Sequence, residues 1–432
     1  MNPNPIVLGL SPNTHSTSNS NMNMTHSKPI RLAFLAACSA LWLTAAVHAQ
    51  TPAIVDAFGE YDSGTSNQYV DVTFSEAMNP ASVTNAANYS IAGHTISGAM
   101  LFTNNAGVSS TNLMILQLDS RLTGSFTLNV SNVRSFSGVP IAANTSVAGA
   151  VDPLSSIDIG VFGGFTGTTY YEGPGSYLVN SSGQDVWNNQ DGFRFVYGTR
   201  TGNFDVVVQV PSIFPVGQTS LAGLMAREVI DPSDGGSRMI CVYTTPTAAQ
   251  IGLDGNAGQN IVGMCVRDTT DAGVYEPGDY IGDGHVRPVY PNQWLRLTRQ
   301  TDGTNDLFTA YASTNEASWT WMGDFNPLTS GMSNAFPSVV NVGMCAAADS
   351  YSPNTYLVTA AFQNFGDYVE RPTLAATLAA TKQSLIISWQ PAGESLYSSP
   401  VLGSAANWTL VTTNNPATVT ITGPAMFFRA GP

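Results

Sequence analysis

Basic residues are few in this sequence of 432 residues, and lysine is rarer than arginine. Beyond residue 49 the chain keeps 13 basic residues, of which Lys382 is the single lysine, against 29 acidic residues. The net charge of −16 for that part of the chain repels the phosphates of nucleic acids and the headgroups of anionic lipids. We therefore expect neither nucleic acid nor an anionic membrane surface as a partner.

Histidine and cysteine are also few, with two histidines and three cysteines after residue 49. His94 and His285 cannot build a three-histidine metal centre, and neither lies beside a nucleophile motif such as G-x-S-x-G. Cys241, Cys265 and Cys345 occupy apolar runs, where cysteine behaves as a small buried hydrophobe. An odd number allows at most one internal disulfide, and we expect buried, unbridged thiols.

Long apolar runs are limited to one. The run LAFLAACSALWLTAAV, residues 32–47, follows two basic residues, Lys28 and Arg31, and leads into a small-x-small cleavage site at residues 47–49. This order is typical of a secretory signal peptide. It predicts a signal peptide in residues 1–49 and a protein that is secreted or held at the cell surface.

Two features of this N-terminal segment leave alternatives. The polar stretch before Lys28 is long for a signal peptide, and a translation start at Met22 or Met24 would shorten it. Residues 35–38 resemble the lipobox of bacterial lipoproteins, but the apolar run continues well past Cys38. Lipid anchoring through Cys38 is therefore the lesser alternative, and no second run is long enough to span a membrane.

The remaining composition predicts an all-β fold. The chain has 40 Gly and 25 Pro, and only 10% of its residues are charged. Short β-branched and aromatic runs are separated by Gly, Pro, Asn and Ser, and no helical period stands out. In residues 51–150, for example, Val70, Val72 and Phe74 alternate with polar residues, as in a half-buried strand.

Residues 51–150 carry a family resemblance. The stretches VDVTFSEAMNPASVTNAANYSIAG (70–93) and LTGSFTLNVSNVRSFSGVPI (122–141) resemble the bacterial Ig-like modules of secreted and surface-layer proteins. The resemblance implies an Ig-like β-sandwich with a spacer or adhesion role and no catalytic residues.

Residues 154–368 contain about ten strand-like runs, which predict a two-sheet jelly roll. The stretches LAGLMARE (221–228), PNQWLRLTRQTDGTNDLFTAYASTNEASWTWMG (291–323) and VNVGMCAAADS (340–350) resemble the concanavalin A-like lectin/glucanase superfamily, as a LamG-like jelly roll. The resemblance implies that fold and, by analogy, glycan binding.

Residues 371–432 resemble a small C-terminal β-module of secreted bacterial proteins, through the pattern S-W, L-x-S, W-T-x-V and F-F-R. The expected architecture is therefore an Ig-like β-sandwich, a concanavalin A-like jelly roll and a small C-terminal β-module.

Two tryptophans are the strongest candidates for ligand binding. Trp319 and Trp321 are two residues apart, so in a strand they project from the same face. Flat aromatic rings suit the apolar face of a sugar ring. Packing between the two sheets is the alternative role for such rings.

A second candidate group lies earlier in the jelly roll. Asp185, Trp187 and Asp191 sit on a turn before a strand, and Arg227 lies inside an apolar strand. An exposed ring flanked by polar groups suits a saccharide, but Asp is also an ordinary turn residue. Arg227, like Arg194 and Arg267 in other strands, needs either a buried ion pair or a polar groove.

Acidic residues cluster in RDTTDAGVYEPGDYIGDGH, where calcium is a candidate ligand. The spacing does not match an EF-hand, and a solvated hairpin loop is the alternative. The acids are Asp268, Asp271, Glu276, Asp279 and Asp283. Apart from calcium, the sequence predicts no cofactor.

Paired carboxylates for sugar hydrolysis are not evident. Glucanases of this fold place acids at alternate positions of one strand, as E-x-D-x-x-E, and no such array occurs here. We therefore expect a non-catalytic protein that binds a polysaccharide or surface glycan, or acts in adhesion. A polysaccharide-cleaving hydrolase whose carboxylates converge only in three dimensions, and a purely structural envelope protein, are the alternatives.

Overall fold

The computed structural model describes thirteen stretches of the chain: residues 50–103, 109–160, 165–214, 220–246, 261–277, 293–329, 334–348, 357–370, 373–380, 382–390, 393–401, 406–420 and 426–431. The predicted all-β fold is confirmed. Contacts divide the chain into a large unit, Ala49–Val369, and a second unit that contains Glu370–Pro432. Among the described residues, no helix has the length and apolar character needed to cross a membrane.

The large unit is built from nineteen described strands. They are β1 (Ile54–Asp62), β2 (Asn67–Phe74), β3 (Tyr89–Ile91), β4 (Ile96–Thr103), β5 (Ser109–Leu118), β6 (Phe126–Val130), β7 (Thr145–Gly160), β8 (Thr168–Gly173), β9 (Ser176–Ser181), β10 (Gly192–Thr201), β11 (Phe204–Phe214), β12 (Leu221–Arg227), β13 (Met239–Thr244), β14 (Val262–Arg267), β15 (Trp294–Thr301), β16 (Asp306–Ser313), β17 (Thr320–Phe325), β18 (Val339–Ala347) and β19 (Val358–Asp367).

In the N-terminal strands, the apolar residues that alternate with polar ones in the sequence are buried. Val70, Val72 and Phe74 of β2 are at most 1% exposed and pack in one apolar cluster. One helical turn, α1 (Pro80–Val83), begins here because Asn79 caps it and proline suits its first position. A 3₁₀ turn, Ala86–Asn88, follows and leads into β3.

One strand, β7, runs from this region into the rest of the unit. The first half of β7 pairs with β6 and β1, and its second half pairs with β10, where Ile157 lies opposite Phe195. The predicted boundary, between residues 150 and 154, thus lies inside β7. The division into an Ig-like module and a jelly roll remains a prediction, but the two regions share one sheet.

Two sheets form the large unit. The first has twelve strands, in the order β14-β13-β12-β18-β10-β7-β1-β2-β5-β4, with β6 on β7 and β3 on β6. The second has seven, in the order β17-β16-β15-β11-β19-β9-β8. The main apolar core contains residues from both sheets, for example Leu224 and Val242 of the first, and Leu295 and Phe308 of the second.

At strands β12, β13 and β14, the first sheet is buried on its other face as well. A second apolar cluster there contains Phe193, Phe195 and all three described cysteines, Cys241, Cys265 and Cys345. The thiols are buried and unbridged, and the Sγ atoms of Cys241 and Cys345 are 3.6 Å apart. These two cysteines approach each other across β12, where a glycine leaves room for both sulfur atoms.

The second unit contains β20 (Thr373–Leu378), β21 (Ser384–Gln390), β22 (Ser395–Ser399), β23 (Thr409–Thr412), β24 (Ala417–Thr420) and β25 (Phe427–Gly431). They form two three-stranded sheets, β20-β21-β24 and β23-β22-β25. Trp389, 2% exposed, packs with Ile387, Leu396 and Phe428, and its indole nitrogen donates to the carbonyl of Glu394 at 2.7 Å. One buried indole thus anchors a small core.

A buried arginine connects β1, β7 and β10. Arg194, 1% exposed, donates from Nη2 to Asp62 and to the Ser156 hydroxyl, each at 2.8 Å. Its Nη1 donates to Asp158 at 3.0 Å, and the Glu60 carboxylate lies 3.8 Å from Nη2. The guanidinium therefore forms the buried ion pair that a charge inside an apolar strand requires.

Buried carboxyl groups near this arginine outnumber it. Burial raises the pKa of Glu60 to about 8 and the pKa of Asp152 to about 7, and it also raises the pKa of Asp71. Asp71 accepts a hydrogen bond from the Tyr171 amide at 2.7 Å, and Asp152 accepts one from the Tyr177 hydroxyl at 2.8 Å. One guanidinium cannot neutralise all of these carboxylates, so the folded state favours their protonated forms.

This cluster predicts stability that falls as pH rises. Glu60 has a higher pKa when folded than its ordinary 4.5, so its contribution is complete below about pH 4.5 and is lost as the pH approaches 8. At about 1.4 kcal/mol per pKa unit, the shift from 4.5 to about 8 corresponds to a loss on the order of 5 kcal/mol. We expect Glu60→Gln to reduce the pH dependence of the urea midpoint between pH 5 and pH 8.5. Equal slopes for Glu60→Gln, wild type and the exposed control Asp324→Asn would contradict this account.

The buried thiols predict a folded protein that resists thiol reagents. Burial raises the pKa of the Cys241 thiol and limits access to all three sulfur atoms. We expect residues 50–432 to show no thiol that reacts with Ellman's reagent at pH 8 when the chain is folded. In about 8 M urea, which unfolds most proteins, we expect all three thiols to react. Rapid labelling of the folded chain would show that the strands around Cys241 open readily.

Candidate functional site

The second sheet presents a polar and aromatic outer face. In β15, Leu295 and Leu297 enter the core, so Arg296 between them points outward. In the same way, Ala310 and Ala312 of β16 enter the core and leave Tyr311 on the outer face. The alternation of side chains in each strand thus separates the core from this surface.

The two candidate tryptophans lie on this outer face. Trp321 of β17 is directly opposite Tyr311, while the next residue, Met322, is buried in the core. Trp319, just before β17, lies near Arg296, whose guanidinium carbon is 5.5 Å from the centre of its ring. The predicted common face of Trp319 and Trp321 agrees with these contacts.

An ion pair organises the centre of the face. Arg296 donates from Nε and Nη2 to the two carboxylate oxygens of Asp205, on β11, at 2.7 and 2.5 Å. The guanidinium carbon lies 3.7 Å from the ring centre of Tyr368 and 5.3 Å from that of Tyr311. Bidentate pairing and stacking hold this guanidinium in one orientation.

Tyr368 also fixes the first tryptophan. The Trp319 indole nitrogen donates to the Tyr368 hydroxyl at 3.2 Å, and the two rings meet edge to face with centres 5.6 Å apart. Tyr368 is held in turn by its backbone amide, which donates to the Asp205 carbonyl at 2.8 Å. Trp319 is therefore half-buried and rigidly placed.

Trp321 differs from Trp319 in its exposure. It is 41% exposed, and the other exposed aromatic on the described strands of the second sheet is Phe214, at the end of β11. An exposed indole beside Tyr311 offers a flat apolar surface to a ligand. We call the set of Asp205, Arg296, Tyr311, Trp319, Trp321 and Tyr368 the Trp321 face.

The other candidate residues lie on the far side of the first sheet. Asp191 and Arg227 are fully buried and bond directly, with Arg227 Nη1 donating to Asp191 at 2.6 Å. Arg267, also fully buried, donates to the same carboxylate from Nη1 and Nη2, each at 2.6 Å. These groups contact one another and backbone carbonyls, and they have no exposed surface to offer a ligand.

Asp185 and Trp187 flank this buried network. The backbone of Asp185 pairs with Gly192, and its carboxylate accepts a hydrogen bond from the Val186 amide at 2.7 Å. Trp187 is half-buried and packs against the apolar cluster that contains Phe193. The structure thus brings Asp185, Trp187, Asp191 and Arg227 into one region, away from Trp319 and Trp321.

The described acids of the predicted calcium loop have separate partners. Asp268 is buried, Asp271 accepts a hydrogen bond from the Gln190 amide at 2.8 Å, and Glu276 accepts one from the Tyr243 hydroxyl at 2.7 Å. Asp279 and Asp283 lie outside the described residues, as does His285 of the same loop. Among the residues that the structure describes, no three acids, histidines or cysteines are arranged to hold a metal ion, and calcium binding remains a prediction.

Sequence reasoning missed four members of the Trp321 face: Asp205, Arg296, Tyr311 and Tyr368. A signal was present for Arg296, because it occupies the outward position between Leu295 and Leu297 in the alternation of β15. The partners Asp205 and Tyr368 are distant in sequence, and only the strand pairing brings them to it.

Comparisons with known proteins add little to the geometry. A scan against protein-family models and a search of curated proteins both find no match. Among solved structures, the metal-free lectin I-B4 from Griffonia simplicifolia is 12% identical, covering 45% of this chain and 81% of the lectin, with a TM-score of 0.22. Domains 1–6 of the surface layer protein SbsC are 10% identical, covering 86% of this chain and 66% of that protein, with a TM-score of 0.22. At these TM-scores neither likeness supports a function.

The buried network predicts a structural role for Asp191. Asp191→Asn leaves Arg227 and Arg267 buried without their shared anion, which costs about 3–5 kcal/mol in similar cases. We expect a loss of this size in the free energy of unfolding, measured with urea at pH 7. The exposed control Asp231→Asn is expected to change it by about 0.5 kcal/mol or less. A loss below about 1 kcal/mol for Asp191→Asn would show that the network is dispensable.

Proposed function

We propose that the mature chain is an exported, non-catalytic protein that binds a polysaccharide or a surface glycan through the Trp321 face. In this proposal residues 154–368 are a concanavalin A-like jelly roll that contacts the glycan. Residues 51–150 are an Ig-like spacer, and residues 371–432 are a small β-module. The signal peptide would deliver the protein to the cell surface or the medium.

The single observation that carries this proposal is the exposed indole of Trp321 beside a fixed polar pair. Sugar-binding sites combine a flat ring, which contacts the C–H face of a pyranose, with rigid donors and acceptors for its hydroxyl groups. Trp321 and Tyr311 supply rings, and the Asp205–Arg296 pair supplies both an acceptor and a donor. Fixed side chains lose little conformational entropy when a ligand binds.

A polysaccharide-cleaving hydrolase is the second candidate, and one carboxyl group favours it. Burial raises the pKa of the half-buried Glu276 to about 7, a value suited to a general acid. Cleavage requires a second carboxylate about 5–10 Å away across a groove. If Glu276 acts in this way, the protein releases reducing sugar and Glu276→Gln abolishes the release.

The test of glycan binding is retention of residues 50–432 on insoluble polysaccharides and on a glycan array. We expect wild-type protein to be retained without release of reducing sugar. Trp321→Ala is expected to weaken retention about tenfold, because a stacking contact worth about 1.4 kcal/mol is lost with the ring. The control Phe136→Ala removes an aromatic ring that is 73% exposed and is not part of the second sheet. This variant is expected to bind normally.

The outcomes separate the three classes of function. Retention that is lost in Trp321→Ala supports the proposal, and retention that Trp321→Ala leaves unchanged contradicts the assigned surface. No retention on a broad panel contradicts glycan binding and favours a structural role in the envelope.

A further inference from the structure

The electrostatics of the Trp321 face restrict the charge of its ligand. The second sheet has two described arginines, Arg296 and Arg299, and each is held by one carboxylate. Arg296 pairs with Asp205, and the buried Arg299 donates to both oxygens of Asp306 at 2.7 and 3.1 Å. Neither cation is left to neutralise an anionic ligand.

Negative charge near the face strengthens this restriction. Asp324 of β17 is exposed, three residues from Trp321. The mature chain as a whole has a net charge of −16. A polyanion approaching this face therefore meets repulsion without a compensating salt bridge.

The geometry also restricts the size of the ligand. Arg296 lies opposite Tyr311, and Tyr311 lies opposite Trp321, so the three side chains form a row across β15, β16 and β17. Asp205 lies on a fourth strand, β11, opposite Thr298, and its ion pair with Arg296 therefore crosses from β15 to β11 diagonally. Four strands at about 4.8 Å spacing span about 14 Å, which exceeds the width of one sugar ring.

We propose that the Trp321 face selects an uncharged oligosaccharide that lies across these four strands. One sugar ring stacks on the Trp321 indole, and hydroxyl groups of a neighbouring ring bond to the Asp205 carboxylate and the outer edge of the Arg296 guanidinium. This selection rests on the proposed function and adds to it the charge class and the minimum length of the ligand.

The two side chains proposed to bind hydroxyl groups are held in place before a ligand binds. The side chain of Asp205 is 37% exposed, and that of Arg296 is 19% exposed, while their ion pair and the Tyr368 ring hold both in place. A hydroxyl group both donates and accepts hydrogen bonds, so it can contact a carboxylate and a guanidinium together. A carboxylate ligand would instead compete with Asp205 for the guanidinium.

Affinity electrophoresis of residues 50–432 tests the charge preference. The gels contain neutral galactomannan, xyloglucan or mixed-linkage β-glucan, or anionic polygalacturonate or alginate. We expect at least one neutral polymer to retard the wild-type protein and neither anionic polymer to do so. Asp205→Asn is expected to lose at least tenfold in affinity for the neutral polymer, while the exposed control Asp231→Asn is unchanged. Circular dichroism and the melting temperature check that each variant is folded.

Titration calorimetry with fragments of the retained polymer tests the length. We expect the affinity to rise at least tenfold from the monosaccharide to the tetrasaccharide. Retardation by an anionic polymer that is lost in Trp321→Ala would overturn the inference while leaving the proposed function intact. Equal affinity for the monosaccharide and the tetrasaccharide would also overturn the inference while leaving the proposed function intact. If no polymer retards the wild-type protein, the proposed function and this inference both fail.

Discussion

Burial of strands β12, β13, β14 and β18 on both of their faces is the constraint on which the rest of the large unit depends. One face of β12, β13, β14 and β18 packs against the second sheet, and the other face carries the apolar cluster around Phe193 and the three thiols. The sequences of strands that are buried on both faces are nearly continuous apolar runs. Their charged residues, Arg227 and Arg267, therefore had to find an internal partner, and Asp191 is that partner.

This constraint also determines where a ligand surface can lie. Within the described part of the first sheet, the strands β12, β13 and β14 at one end consist entirely of buried residues. The outer face of the second sheet is different, because Trp321 remains exposed there and Arg296 is only partly covered. The ion pair of Arg296 with Asp205 then acts as the centre around which Tyr311, Trp319 and Tyr368 are arranged. The same type of interaction, a buried or partly buried arginine–aspartate pair, thus organises both the interior of the first sheet and the outer face of the second.

Local pattern predicted much of this architecture. Alternation of apolar and polar residues predicted the all-β fold, the buried face of β2 and the common face of Trp319 and Trp321. It could not predict partners that are distant in sequence, such as Asp205 for Arg296, which are 91 residues apart. Nor could it predict that β7 runs through the expected domain boundary, because pairing with β1 and β10 is a property of the sheet and not of the strand. The buried carboxyl groups near Arg194 have the same origin, since β1, β2 and β7 each contribute acids that look like ordinary exposed residues in the sequence.

The most direct test of the account is an NMR titration that follows the indole N–H signals of the six tryptophans of residues 50–432. The signals are assigned by single substitutions, and a neutral oligosaccharide from the retained polymer is added. The account predicts that the signals of Trp319 and Trp321 shift together and saturate, while those of Trp187 and the buried Trp389 stay in place. A saturating shift at Trp187 with none at Trp321 would place the ligand on the other side of the molecule and would contradict the account.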